Sequence, residues 1–384
     1  MSLTNSCVKI QIIQKNPFPL RRFIVSDYQM QKKLDYTVRL KKVISELPDF
    51  CALYFRAVEP TTSILTRYGY AVDLRTFFRF LVSGQIDRFA GKTIKQLTLA
   101  DMELLCSLDI ELYLEYISLY KNDDSKGNVL IENKDRAKSR KLSSIRALFK
   151  YLYKKSLIQT NCAALIDTPK LHEKAIIRLE ANEVADLLDT AEQGSGMSSA
   201  QRRFHDSTKL RDVAILSLFL GTGIRISELV GIDLKDIDFS KNEFVVTRKG
   251  GNQMTLAFGP EVSSALLDYL EERKAIIPLS GHEDAFFLSL QRKRITPRAV
   301  ENLVKKYAKI ATPLKKITPH KLRSTYGTML YQESGDIYLV ADVLGHKDVN
   351  TTRKHYAAMT EEKSRQAAKY IKLREENPEF PVTE

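Results

Sequence analysis

Much that would announce a function is missing from this chain. Its four cysteines, Cys7, Cys51, Cys106 and Cys162, lie far apart and form no C-x-x-C pair. That excludes a disulfide framework and a cysteine zinc site, and points to free thiols in a reducing cytoplasm. No apolar run approaches the roughly 20 residues that span a bilayer, and the N-terminus lacks the apolar core of a signal peptide. A cytoplasmic protein with no membrane partner is expected. No glycine-rich phosphate loop and no metal-ligand spacing is present, so no cofactor and no metal is expected. Internal repeats and low-complexity tracts are absent as well. Acid is in short supply: 47 Asp and Glu face 60 Lys and Arg, a formal charge of +13. The pI near 9.3 favours a polyanionic partner such as nucleic acid.

At 384 residues the chain is long enough for two or three domains with their own cores. Residues 1–36 hold an alternating run, Val8 to Ile12, followed by Asn16-Pro17-Phe18-Pro19, and read as an extended arm or a small strand. Apolar spacing then turns helical. Behind Thr61-Thr62-Ser63, Leu65, Tyr68, Val72, Phe77 and Leu81 recur at helical intervals, and between Leu99 and Tyr120 so do Leu104, Leu108, Leu112, Tyr116 and Leu119. A polar loop runs from Asn122 to Asn128.

Nine Lys or Arg residues fall between Lys134 and Lys155, with Asp135 the only acid. Leu142, Ile145, Phe149 and Leu152 keep an apolar stripe at helical spacing, which places the charge on the opposite face. Lys138, Arg140, Lys141 and Arg146 are the candidate DNA contacts of that face. Periodicity lapses from Asp167 to Leu179, around Pro169, which reads as a linker. The division is therefore an N-terminal extension (1–36), a helical DNA-binding domain (37–166), the linker (167–179), a catalytic domain (180–359) and a charged amphipathic tail helix (360–384).

Helices are expected over Glu180–Ala191, Asp206–Leu220, Pro260–Lys274, Thr296–Ile310, Lys321–Gln332 and Ile337–Leu344. The clearest strand signal is Phe244 to Thr247 and Met254 to Phe258 around Lys249-Gly250-Gly251-Asn252, a hairpin with Lys249 near its tip. The fold class is thus mainly α with a small antiparallel sheet or hairpin in the catalytic domain.

The residues that carry chemistry are scattered and individually unremarkable in type. Arg225 follows Gly221-Thr222-Gly223, His320 and Arg323 stand one helical turn apart, His346 follows Gly345, and Tyr356 ends T-T-R-K-H-Y. Surface arginines, solvated lysines and core tyrosines are common. Taken together they are what in-line attack on a phosphodiester needs. Arginine forks neutralise the non-bridging oxygens, histidine adds a hydrogen bond, lysine protonates the departing 5′ oxygen, and tyrosine stores the bond energy as a covalent intermediate.

In G-T-G-I-R-I-S-E-L-V at 221–230, T-R-K-G-G-N at 247–252, H-K-L-R at 320–323, L-G-H at 344–346 and T-T-R-K-H-Y at 351–356, the chain resembles the tyrosine recombinases, or phage-type integrases. The resemblance runs over residues 40 to 360 in domain order. It implies that Arg225 and Arg323 bind the scissile phosphate, Lys249 is the general acid, His320 and His346 assist, and Tyr356 is the nucleophile of a 3′-phosphotyrosine intermediate. It further implies a two-domain clamp on double-stranded DNA and conservative site-specific recombination through a Holliday junction, for mobile-element integration and excision or for dimer resolution. A homo-tetramer on two sites with exchange of C-terminal tails, an accessory DNA-bending protein as a further partner, and a nucleoid-associated location go with it. Relaxation of DNA by a type IB topoisomerase and a non-catalytic DNA-binding regulator are the alternatives.

Overall fold

A computed structural model of the chain describes residues 27–122, 129–169, 177–248 and 251–345. The N-terminal arm to residue 26, the middle of the linker, Lys249, His346, Tyr356 and the whole C-terminal tail lie outside the described residues. Buried apolar side chains form two large separate clusters, one drawn from residues between Leu40 and Ile166 and the other from residues between Leu179 and Leu322.

The first cluster is helical. Its elements are α1 (Asp27–Glu46), α2 (Phe50–Ala57), α3 (Ile64–Leu81), α4 (Leu99–Glu103), α5 (Ser107–Tyr116), an antiparallel pair β1 (Leu119–Asn122) and β2 (Val129–Glu132), and α6 (Asp135–Lys154). Helix α3 starts where the sequence places a cap: the Ser63 hydroxyl accepts from the Thr66 N–H at 3.2 Å. Helix α6 buries Leu142, Ile145, Phe149 and Leu152, the expected stripe.

Between Leu99 and Tyr120 the outcome differs. The continuous helix breaks after Glu103, and Asp109 restarts it by accepting from the Cys106 N–H at 2.8 Å. The break rotates the face that turns inward. Met102, Leu105, Ile110 and Tyr113 are buried, while Leu104, Leu108 and Leu112 face outward, so the stripe at helical spacing lies on the surface. The β1–β2 pair, with Leu119 opposite Glu132, was not anticipated.

The second cluster is built on α9 (Lys209–Thr222), preceded by α7 (Ala181–Gln193) and the short α8 (Ser199–His205). Ala214, Ile215, Leu216, Leu218 and Phe219 of α9 are fully buried, and helices cover it on several sides. Each large apolar side chain so buried contributes about 1.5–3 kcal/mol. After α9 come α10 (Ile226–Leu229), a three-stranded antiparallel sheet of β3 (Ile237–Asp238), β4 (Glu243–Thr247) and β5 (Gln253–Ala257) in that order, α11 (Pro260–Ala275), α12 (Pro297–Ala311), α13 (Pro319–Ser334) and α14 (Ile337–Leu344). The expected hairpin is β4–β5, with Thr247 opposite Gln253. Asp212, buried in α9, accepts from the Tyr307 hydroxyl at 2.9 Å and from Lys306 at 3.0 Å, which pins α12 to α9. Leu179, placed in the linker by sequence, is already buried in this cluster, and its N–H donates to Thr325 Oγ1 at 3.0 Å. No described helix is long and apolar enough to cross a membrane.

Candidate active site

Helix α9 ends at Gly223, whose φ of 60° is the left-handed geometry that glycine adopts at little cost. Space reinforces the requirement, because a Cβ there would fall onto the ring of Tyr326 and lie 2.9 Å from Leu344 Cδ2. The tight exit brings Arg225 to the N-cap of α10. Its backbone N–H donates to Glu228 Oε2 at 3.0 Å, and its Nη1 donates to Glu228 Oε1 at 2.8 Å. The Glu228 side chain is 2% exposed and that of Arg225 is 36% exposed. A buried carboxylate thus anchors one end of the arginine while the rest reaches solvent.

Arg323 comes from α13 and is buried. One guanidinium nitrogen donates to the Gly223 carbonyl and the other to the Leu344 carbonyl. The second nitrogen of Arg225 also reaches the end of α14, donating to Leu344 O and Gly345 O at 3.2 Å each. Two guanidiniums far apart in sequence therefore meet on one oxygen. His320 lies one turn before Arg323 on α13 and is exposed.

A third guanidinium joins them. Arg248, at the end of β4, donates Nη2 to Val343 O at 3.0 Å and holds Nε 4.0 Å from Glu228 Oε1. Burial holds its pKa below the ordinary arginine value; Glu228 opposes that and the Arg225 charge adds to it. Arg225 and Arg248 thus lie against one carboxylate, and all three guanidiniums reach the carbonyl end of α14, where the helix dipole is negative. Among the described residues no group of three or more His, Cys, Asp or Glu is arranged to hold a metal.

The model of the phage integrase family matches residues 177–363, the segment that carries all of these groups. A tyrosine recombinase XerC from Caldanaerobacter subterraneus subsp. tengcongensis is 34% identical over 307 residues, covering 78% of this chain and 79% of the relative. The chain belongs to the tyrosine recombinase family. A tyrosine recombinase XerS from Lactococcus lactis subsp. cremoris is 29% identical over 345 residues, covering 84% of this chain and 95% of the relative. Among solved structures, the XerH site-specific recombinase bound to palindromic difH substrate in a post-cleavage complex shares the fold. Its TM-score is 0.56 at 19% identity over 80% of each chain. This recombinase is accordingly a DNA strand transferase and not a passive DNA-binding scaffold.

Of the six expected catalytic residues, Arg225, His320 and Arg323 are described, and the two arginines are brought together. Lys249, His346 and Tyr356 lie outside the described residues. Of the four expected DNA contacts of the recombinase, Arg140 is exposed, Lys138 and Arg146 are half-buried and Lys141 is buried. Arg140 forms a two-pronged bond to Asp73 of α3, at 2.5 and 2.7 Å. Lys141, mostly buried, lies 3.4 Å from the same carboxylate. Arg146 donates to Ala163 O at 3.2 Å, to Thr168 Oγ1 at 2.8 Å and to Ile166 O. Lys138 is half-buried, whereas Lys134, Arg136, Lys150, Lys154 and Lys155 are exposed. The reason is that Asp73, fully buried in α3, needs cations from α6, and Lys141 turns inward to supply one. Sequence reasoning passed over Glu228 and Arg248. The first had a readable signal, an acid three residues after an N-cap position; the second had none beyond its place next to Lys249.

Proposed function

We propose that this recombinase cleaves and rejoins duplex DNA through a 3′-phosphotyrosine. Arg225 and Arg323 grip the non-bridging oxygens of the scissile phosphate, with His320 and His346 as hydrogen-bond donors beside them. The Tyr356 oxygen attacks phosphorus and loses its proton, the bond to the 5′ oxygen breaks, and Lys249 protonates that oxygen to give a free 5′ hydroxyl. A 5′ hydroxyl from a second duplex then attacks the phosphotyrosine, releases the tyrosine and makes a Holliday junction. The bond energy is retained throughout, so no nucleotide triphosphate is consumed. The observation that carries this reading is the convergence of Arg225 and Arg323 on the single Leu344 carbonyl oxygen.

Integration and excision of a mobile element, or resolution of dimers, are the tasks this chemistry serves, in a cytoplasmic, nucleoid-associated setting. The working form is a homo-tetramer on two sites. It exchanges the tail segment 360–384 between neighbours and admits an accessory DNA-bending protein. Two outward apolar rows support assembly: Met30, Leu34 and Val38 on α1, and Leu104, Leu108 and Leu112 along α4 and α5. Unlike rows pairing head to tail between copies would close a ring. Residues 37–166 and 180–359 act as the two jaws of a DNA clamp, and the exposed cations of α6 face the duplex.

The test uses a nicked suicide duplex bearing a site that the protein selects from a random-sequence pool. The full chain forms a covalent adduct with it, and Tyr356→Phe forms none. An adduct persisting in Tyr356→Phe would sink the assignment.

A further inference from the structure

Arg248 stands outside the six residues to which the chemistry was assigned, yet both its backbone and its side chain are held on this face. Its backbone closes the β4–β5 turn: its N–H donates to Asn252 O at 2.8 Å and its carbonyl accepts from the Gly251 N–H at 3.0 Å. The side chain is only 14% exposed and runs from the sheet to the end of α14. There Nη2 donates to Val343 O at 3.0 Å. Nε is buried without a hydrogen bond, 4.0 Å from the Glu228 oxygen that Arg225 also uses. Gly345 lies directly against the guanidinium, and a Cβ at that position would coincide with Nη1. Its φ of +60° selects glycine independently.

The carbonyls of Val343, Leu344 and Gly345 thus receive Arg248, Arg225 with Arg323, and Arg225 respectively. These are orphan carbonyls at the negative end of a helix, and they compete with a phosphate for the same forks. What sets the outcome of that competition is how closely the end of α14 approaches Arg225. Arg248 fixes that approach, since it ties α14 to the sheet and lies 4.0 Å from Glu228, the anchor of Arg225. Keeping a cation in so dry a place is costly, and the nearby Arg225 charge adds to the cost. A planar guanidinium can donate to Val343 O while its Nε lies beside Glu228, which the single ammonium of lysine could not do.

We propose that Arg248 is a positioning residue for the phosphate-binding arginines: its bridge from Val343 O towards Glu228 holds Arg225 and the end of α14 at the spacing that admits a phosphate. The inference rests on the strand-transfer reading above. Its test is single-turnover adduct formation at saturating protein on the nicked suicide duplex, with DNA dissociation constants and urea midpoints measured in parallel. Arg248→Ala should slow adduct formation by about 10- to 100-fold, the range expected when reacting groups shift by about an ångström. Arg248→Lys should be slowed to a similar extent, with the dissociation constant and the urea midpoint of both variants near those of the wild type. Three results overturn the proposal: a wild-type rate in either variant; a loss that appears only in DNA affinity; or a loss that tracks unfolding in both variants. Failure of the wild-type chain to form any adduct would instead overturn the strand-transfer reading itself.

Discussion

Asp73 and Glu228 are both carboxylates buried against arginine, and the contrast between them separates a structural pin from a site. At Asp73 two cations from one helix, Arg140 and Lys141, close on one acid from another, and no further acceptor is engaged. Both cations contact that one acid and hold α6 to α3, although the Arg140 side chain is 55% exposed. At Glu228 the cations come from separate elements, α10 and the end of β4. With Arg323 added from α13, guanidiniums outnumber the acid, and the surplus falls on helix-end carbonyls that a phosphate can replace. Donors that converge from different elements, rather than the presence of a buried ion pair, are what the proposed phosphate site rests on.

The comparison breaks most visibly under substitution of the cation on one side and the acid on the other. Arg225→Ala should lower single-turnover cleavage by about 100- to 1000-fold, the range for losing a charge-stabilising donor in the transition state. Its urea midpoint should stay near the wild-type value, because the backbone N–H of residue 225 still reaches Glu228 and Arg248 still lies 4.0 Å from that carboxylate. A large loss of stability with an unchanged rate would reverse the roles of the two regions.

Asp73→Ala should do the opposite, costing about 3 kcal/mol of stability by leaving the buried Lys141 and the fork of Arg140 unmatched. Cleavage per folded molecule should be unaltered. The sign of the pH dependence sharpens this. Burial raises the Asp73 carboxyl above its ordinary value, and Lys141 and Arg140 only partly offset it. A raised folded-state value means the native protein holds a proton that the unfolded chain has released. The associated stability is fully present below the ordinary Asp value and is lost as pH rises through the folded one. The stability of wild type minus that of Asp73→Asn, read from urea titrations, should therefore fall between about pH 4 and pH 7. An unchanging difference would mean that the two cations cancel the cost of burial.

The smallest effect belongs to the outer face of α6. Neutralising exposed Lys150 or Lys154 should reduce the slope of log affinity against log salt by about 0.9 each, as one phosphate contact is lost. Stability should not change. Glutamine at Arg140 should instead be felt mainly as destabilisation. A salt slope that responds to Arg140 and not to Lys150 would return the DNA contact to the Asp73 side of the helix.

Much of this molecule was readable before any fold was known. The α3 cap at Ser63, the inward stripe of α6, the β4–β5 hairpin and the helices bearing His320 and Arg323 follow from local periodicity and capping chemistry. These signals act over a few residues and survive in any context. Leu104, Leu108 and Leu112 keep helical spacing yet face outward, because the helix breaks after Glu103 and Asp109 restarts it with the face rotated. Helical spacing says which residues share a face, and not which way that face turns. Lys141 misled for a related reason, since its neighbours in sequence are cations while its neighbour in space is Asp73.

Sequence by itself determined the chemistry available: which arginines, histidines, lysine and tyrosine stand in an order that belongs to one family. It could do so because residue types at fixed motif positions limit what bonds can be made and broken. Only the tertiary structure decided that Arg225 and Arg323 meet on the Leu344 carbonyl, that Glu228 anchors the first of them, and that Arg248 closes the group. Those relations join segments separated by whole helices. Their energies depend on distance and burial, which a linear order of residues does not contain.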